Sequence, residues 1–155
     1  MGDELYTLTK ILTPNDLGET GSHQAGFAVP KKIIEYFPYL NPRIPNPECF
    51  LIVQEDDLTE HRWRFIYYNN RLHGRGTRNE YRLTQVRGFL NAHPDVRSGD
   101  ILRLQFIDTF HLKVSLKKVG HASNFLDRPS EKERSQPASI VIRNVNSWTV
   151  SRVRI

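Results

Sequence analysis

The chain is built from short apolar stretches separated by turn-forming residues, and this spacing constrains its fold more than any other feature of the sequence. Several stretches alternate between apolar and polar residues, which is the pattern of a strand with one buried face. Only residues 30–37 and 88–93 suggest a helix, and both segments are short. No apolar run approaches the roughly 20 residues that a membrane helix needs. We therefore predict a mainly β chain, folded as a closed or half-closed antiparallel barrel of seven to nine strands with one or two short helices.

Two long polar loops interrupt the strand pattern, at residues 13–26 and 69–77. The first contains three Gly together with Pro14, Asn15 and Asp16, and the second contains two Gly and two Asn, all of which favour turns. A third polar stretch, residues 120–137, is expected to be a surface loop. At 155 residues the chain has the length of one domain, and we predict that residues 1–155 form a single domain. The predicted strands are residues 6–12, 27–29, 50–53, 63–68, 80–86, 101–107, 110–116, 139–142 and 148–153.

Basic residues are concentrated in one segment of the chain. Between His61 and Arg87 lie seven arginines and a single acid, Glu80, so this segment carries +6 while the whole chain carries +5. The remainder of the chain is therefore close to neutral. A local excess of arginine is typical of a surface that binds a polyanion such as nucleic acid, although a solvated strand and loop can carry the same charge.

The second loop and the strand after it hold side chains that can read base edges in the major groove. Arginine binds O6 and N7 of guanine, asparagine and glutamine bind adenine, and glutamate accepts a hydrogen bond from cytosine. A lone acid is repelled by phosphate, so Glu80 suggests base reading, and its pairing with Arg78 or Arg82 is compatible with that role. The candidate base contacts are Gln24, Arg75, Arg78, Asn79, Glu80 and Arg82, and the candidate phosphate contacts are Lys10 and Lys31.

Each of the two loops carries a polar motif. The motifs are Asn15-Asp16-x-Gly18-x-Thr20-Gly21-x-His23-Gln24-x-Gly26 and Ile66-Tyr67-Tyr68-Asn69-x-Arg71, followed by Thr77-Arg78-Asn79-Glu80-x-Arg82-x-Thr84. In their residues, order and separation they resemble the effector-binding N-terminal domain of the restriction endonuclease EcoRII, and the resemblance covers about half of the chain. It implies a DNA-binding pseudobarrel like that of plant B-three transcription factor domains.

The resemblance implies that two arms grip double-stranded DNA from the major groove. The N-arm corresponds to about residues 13–29 and the C-arm to about residues 69–86. The implied target is a short duplex site of the CCWGG kind, read by the specificity or effector domain of a type II restriction endonuclease. The residues that match recognition positions are His23 in the N-arm and Arg78, Glu80 and Arg82 in the C-arm.

This sequence departs from the family at three arm positions. Gly76 and Tyr81 stand where the family has lysine, and Ala28 stands where it has tyrosine. Because arm residues set specificity, these differences leave the exact target open. The complete set of candidate DNA contacts is Lys10, Ser22, His23, Gln24, Lys31, Arg71, Arg75, Thr77, Arg78, Asn79, Glu80, Tyr81 and Arg82.

No segment of the chain has the pattern of a nuclease active site. The densest acidic cluster, Asp56-Asp57 with Glu60-His61, falls in a predicted turn and has no paired lysine. We predict that the chain alone is not an enzyme, that it binds DNA without a cofactor, and that the nuclease is a linked domain of a longer prokaryotic, cytoplasmic protein. We expect a monomer with no membrane partner. The alternatives are a compact metal-dependent nuclease or nicking enzyme that uses the Asp56–His61 cluster, and a non-specific nucleic-acid binder.

Overall fold

The computed structural model describes residues 4–19, 26–119 and 139–154. Within these ranges the chain forms nine strands and two short helices. The helices are a 3-10 helix at Lys31–Tyr36, which begins directly after Pro30, and α1 at Arg87–Ala92. The strands are β1 (Glu4–Ile11), β2 (Phe27–Val29), β3 (Glu48–Gln54), β4 (Glu60–Tyr68), β5 (Glu80–Thr84), β6 (Ile101–Asp108), β7 (His111–Lys117), β8 (Ser139–Val145) and β9 (Trp148–Arg154).

The nine strands form one sheet in the order β2-β5-β4-β3-β7-β6-β1-β9-β8, curled into a half-barrel. This arrangement confirms the predicted mainly β pseudobarrel with two short helices. Neighbouring strands are antiparallel except β3 and β7, which run parallel from Ile52 opposite His111 to Gln54 opposite Lys113. The prediction of a wholly antiparallel barrel is therefore wrong at this pair. The long connection from β3 to β7, through β4, β5, α1 and β6, allows the parallel arrangement.

Alternation along β4 places aromatic rings inside the half-barrel and arginines on the other face. Trp63, Phe65 and Tyr67 are buried, whereas Arg62 is exposed and Arg64 is half-buried. Fully burying an aromatic or large aliphatic side chain stabilises a fold by about 1.5–3 kcal/mol. One strand thus contributes both to the core and to the arginine-rich surface.

The two helical segments add further aromatic rings to the core. Phe89 of α1 meets Trp63 edge-on with ring centroids 5.5 Å apart. Phe37, directly after the 3-10 helix, stacks on Phe65 at 4.9 Å and meets Trp148 at 6.3 Å. Both tryptophans are fully buried.

The predicted strand ends differ from the structure by up to three residues, as at the start of β4 and the end of β8. The β6–β7 hairpin is shifted by one residue. Its turn is predicted at Asp108-Thr109, but β6 extends through Asp108, so that Thr109 and Phe110 form the turn. A register shift between Phe106 and Asp108 accommodates the longer strand. The loop predicted at residues 120–137 lies outside the described residues. In the described part of the chain, no helix is long and apolar enough to cross a membrane.

Candidate nucleic-acid interface

The strands of the two predicted arms are neighbours in the sheet. β2, at the end of the N-arm, pairs with β5, at the end of the C-arm, so that Ala28 lies opposite Arg82. Just before β2, a Cβ added to Gly26 would lie 2.8 Å from the carbonyl oxygen of Leu83. Because no larger residue fits without a shift, Gly26 lets the N-arm approach the backbone of the C-arm strand. The strands of the two arms therefore lie side by side, and because they are antiparallel, the loops that precede them join the pair at opposite ends.

Of the predicted recognition residues, Glu80 and Arg82 share one face of β5, and Arg78 precedes the strand by two residues with its side chain beside Glu80. Their side chains are 54%, 38% and 15% exposed. One oxygen of Glu80 lies 3.4 Å from a guanidinium nitrogen of Arg78 and 4.0 Å from one of Arg82. The Arg78 guanidinium also lies 4.5 Å from the ring centroid of Tyr68. Two cations thus face one carboxylate, which orients them but leaves a net positive charge.

Tyr81, between these residues, points into the core. It is 9% exposed, and its ring stacks on Tyr67 with centroids 4.1 Å apart. Burial raises the pKa of Tyr81, and the neighbouring Tyr67 and Tyr39 raise it further. The structure therefore does not place Tyr81 on the surface, in contrast to its prediction as a DNA contact. The reason is the strand alternation, which turns Tyr81 to the opposite side of β5 from its neighbours Glu80 and Arg82.

Asn79 is held by the same aromatic pair. The hydroxyl of Tyr67 donates a hydrogen bond to Oδ1 of Asn79. A bidentate contact with adenine needs this oxygen as an acceptor as well as the amide nitrogen as a donor. Base reading by Asn79 would therefore compete with its bond to Tyr67.

The start of the C-arm is anchored to the proline-rich segment that precedes β3. Asn69 is fully buried, and its side-chain nitrogen donates to the carbonyl oxygens of Pro42 at 3.0 Å and Ile44 at 2.8 Å. Its side-chain oxygen accepts a hydrogen bond from the Asn46 backbone at 2.7 Å. The sequence places Asn69 in a family motif but does not reveal this anchoring role. The anchored loop presents three exposed predicted contacts, Arg71, Arg75 and Thr77.

The N-arm is fastened at its base by Asp16. One carboxylate oxygen of Asp16 lies 2.5 Å from Nζ of Lys10 and accepts the backbone N–H of Thr13 at 2.9 Å. Its backbone oxygen accepts the N–H of Gly26 at 3.3 Å, so both ends of the loop meet at this residue. The predicted contacts Ser22, His23 and Gln24 lie outside the described residues.

Lys10 is a buried structural cation rather than a surface one. It is 4% exposed, and besides Asp16 it donates to Oγ of Ser147 at 2.9 Å. Its prediction as a phosphate contact is therefore not supported by its position. The sequence alternation along β1 does not show whether a lysine lies on the surface or is buried against loop residues, here Asp16 and Ser147.

A cleft of about 420 Å³ lies between the bases of the two arms. Lys31, which is exposed, lines it together with Asn79 and Glu80. The turn between β8 and β9, at Asn146 and Ser147, also lines this cleft. The sequence motifs give no indication of that third element.

Two arginines of β4 extend the positive face beyond the predicted contacts. The Arg62 guanidinium lies 3.9 Å from the ring centroid of Phe50. Arg64 donates to Oγ1 of Thr84 at 2.9 Å and to the hydroxyl of Tyr68 at 3.0 Å. The alternation of arginine with aromatic residues in β4 is the signal that could have identified them.

The acidic cluster considered as a nuclease site is dispersed in the structure. Asp56 and Asp57 are exposed, whereas His61 contacts Glu55, with 2.6 Å between Nε2 and Oε2. His93 binds the other oxygen of Glu55. Burial raises the pKa of Glu55, but the hydrogen bonds from the two histidines outweigh it and lower that pKa overall. Among the described residues, no group of three or more His, Cys, Asp or Glu side chains could hold a metal ion.

The fold and the site together define a β-pseudobarrel domain with two paired arm strands and an arginine-rich face. Residues 2–121 match the family described as restriction endonuclease EcoRII, N-terminal, and the chain belongs to this family. This match confirms the resemblance seen in the two loop motifs.

The chain is similar to part of a much longer enzyme. The type II restriction enzyme EcoRII of Escherichia coli is 41% identical over 87 residues, which cover 54% of this chain and 21% of that enzyme. Among solved structures, the N-terminal domain of Helicobacter pylori LlaJI.R1 has a TM-score of 0.45 and 13% identity, covering 74% of this chain and 82% of that one.

Proposed function

We propose that this chain is the recognition or effector domain of a type II restriction endonuclease and binds a specific duplex sequence through the major groove. The observation that carries the proposal is the antiparallel pairing of β2 with β5, which joins the strands of the two arms into one surface with a loop at each end. The nuclease would be a linked domain, since the chain matches only 21% of the Escherichia coli enzyme. We further propose that residues 1–155 act as one monomeric domain, which the pairing of β9 along β1 supports.

In this proposal Arg78 and Arg82 read guanines and Glu80 reads a cytosine. Consecutive G·C pairs present guanine O6 and N7 beside cytosine N4, so a CCWGG-like target suits the order Arg, Glu, Arg along the C-arm. Each good contact of this kind contributes about 1–3 kcal/mol of discrimination. The ion pairs with Glu80 orient both guanidinium groups before DNA binds.

The remaining predicted contacts divide between register and the N-arm. Lys31, Arg71, Arg75 and Thr77 are exposed around the two arms and suit phosphate oxygens, which set register without reading sequence. Ser22, His23 and Gln24 are proposed as the N-arm contacts on motif position alone.

The proposal is tested by mobility-shift titration without metal. A duplex carrying CCWGG, a scrambled duplex and a single strand are compared in the presence of competitor DNA. We expect tight binding to the first duplex alone. Equal binding to all duplexes would mean that the altered arms read another sequence or none, and binding to single strands alone would overturn the proposal.

Substitution of Arg78 separates base reading from general charge. Arg78→Ala should abolish the preference for the cognate duplex while leaving weak binding to all duplexes. The matched control is Arg103→Ala, which removes the same charge from an exposed position on β6, away from both arms. Lys31→Ala should weaken all duplexes alike and reduce the salt slope by about 1. Unchanged specificity in Arg78→Ala would show that the arm is assigned wrongly.

A further inference from the structure

The turn between β8 and β9 lies at the cleft between the arms and lies beyond residue 121, where the family match ends. Asn146 and Ser147 form this turn. They line the same cleft as Asn79 and Glu80 of the C-arm. The turn therefore reaches the region where the proposed function places DNA.

Three hydrogen bonds fix the position of this turn. The backbone oxygen of Ser147 accepts the N–H of Ile11 at 2.9 Å, and its hydroxyl accepts a hydrogen bond from Lys10 at 2.9 Å. The next residue, Trp148, is buried, and its Nε1 donates to the carbonyl oxygen of Ala28 in β2 at 2.9 Å. The turn is thus bound both to β1 and to the strand that ends the N-arm.

The side chain of Asn146 is exposed at this fixed turn. Its φ of 55° lies in the left-handed region, which asparagine and glycine tolerate better than other residues. The acids of the cleft already have partners: Asp16 binds Lys10, and Glu80 lies between two arginines. With the exposed cation of Lys31 in the same cleft, the surroundings favour an anion.

We propose that the β8–β9 turn is a third DNA-contacting element, in which the side-chain amide of Asn146 donates a hydrogen bond to a backbone phosphate. The proposal rests on the proposed function, because it requires duplex DNA between the arms. A phosphate contact sets register and carries no sequence information. Because asparagine is uncharged, its contact displaces no counterion, and its loss should leave the salt dependence of binding unchanged.

The test compares Asn146→Gly and Asn146→Asp with the wild type on the cognate and the scrambled duplex. Glycine keeps the left-handed backbone and removes the donor, so both duplexes should bind about 3- to 10-fold more weakly with an unchanged salt slope. Aspartate places a negative charge beside the phosphate and should weaken both duplexes further. The control is Thr109→Asp, which adds the same charge to the exposed turn between β6 and β7. This turn lies at the other end of β6 from Ile101, the partner of Ile11 in β1. The control variant should bind DNA like the wild type.

Each other outcome overturns the proposal. Wild-type affinity in both Asn146 variants would show that the turn does not touch DNA, while the proposed function would stand. A loss confined to the cognate duplex would mean that Asn146 reads a base and not a phosphate. An equal loss of DNA affinity in Thr109→Asp would show that the added negative charge weakens binding wherever it is placed. If the wild-type chain binds no duplex, the proposed function fails together with this inference.

Discussion

Replacing Lys10 with methionine should destabilise the protein strongly, because Lys10 is one half of a buried ion pair. Its ammonium group is 4% exposed and lies 2.5 Å from the carboxylate of Asp16, whose side chain is 7% exposed. Methionine keeps much of the unbranched stem and removes the charge. The carboxylate would then keep only the backbone N–H of Thr13, at 2.9 Å, among the donors described above.

The expected loss in the free energy of unfolding is about 3–5 kcal/mol, because the substitution leaves one charge buried without its partner. For a domain of this size, each kcal/mol lowers Tm by about 2–4 °C, so we expect a drop of about 6–20 °C. Asp16→Asn should cost a similar amount, because it strands the Lys10 ammonium with the hydroxyl of Ser147 as its main partner. The double variant Lys10→Met/Asp16→Asn removes both charges and keeps an acceptor for Thr13. It should therefore be more stable than either single variant.

The assay is urea unfolding of the wild type, both single variants and the double variant, analysed as a double-mutant cycle. Lys113→Met, at an exposed position on β7, is the control and should change stability by no more than about 0.5 kcal/mol. A loss below about 1 kcal/mol in either single variant would refute the reasoning, because that is the contribution of a surface pair. Strict additivity of the two losses would refute it as well.

Two further perturbations test other parts of the fold. The hydrogen-bonded carboxylate of Glu55, whose pKa the two histidines lower, stabilises the fold above its ordinary pKa, and this contribution is lost as pH falls through the lowered value. Glu55→Gln should therefore flatten the acid side of a stability–pH curve, and an unchanged acid side would contradict the assignment. Gly26→Ala places a methyl group 2.8 Å from a carbonyl oxygen of β5 and should cost about 1–3 kcal/mol in urea unfolding. Gly88→Ala, which has ordinary space, is its control, and equal stabilities of the two variants would show that the arm can shift freely.

Local periodicity predicts strands well here but not their neighbours. Alternation of aromatic and basic residues identifies β4 and tells which of its side chains share a face. It does not reveal that β2 pairs with β5, because the pattern has period two whichever strand lies alongside. The adjacency of the arm strands, on which the candidate site depends, is therefore a property of the tertiary fold.

The site residues show the same limit. The face shared by Glu80 and Arg82 follows from counting every second residue, and the same count turns Tyr81 inward, although the motif suggested a DNA contact. The burial of Lys10 could not be inferred, since one of its partners, Ser147, is 137 residues away in sequence.

The position of Lys10 changes how a DNA-binding defect in its variants should be interpreted. Its ammonium group binds Asp16, which fastens the N-arm, and Ser147, which fixes the turn that presents Asn146. Lys10→Met should therefore weaken DNA binding through both elements without removing a phosphate contact. A lost phosphate contact reduces the salt slope by about 1, whereas a misplaced arm or turn weakens binding without that change. The salt slope of Lys10→Met, measured beside that of Lys31→Ala, thus distinguishes a positioning residue from a contact residue where affinity alone would not.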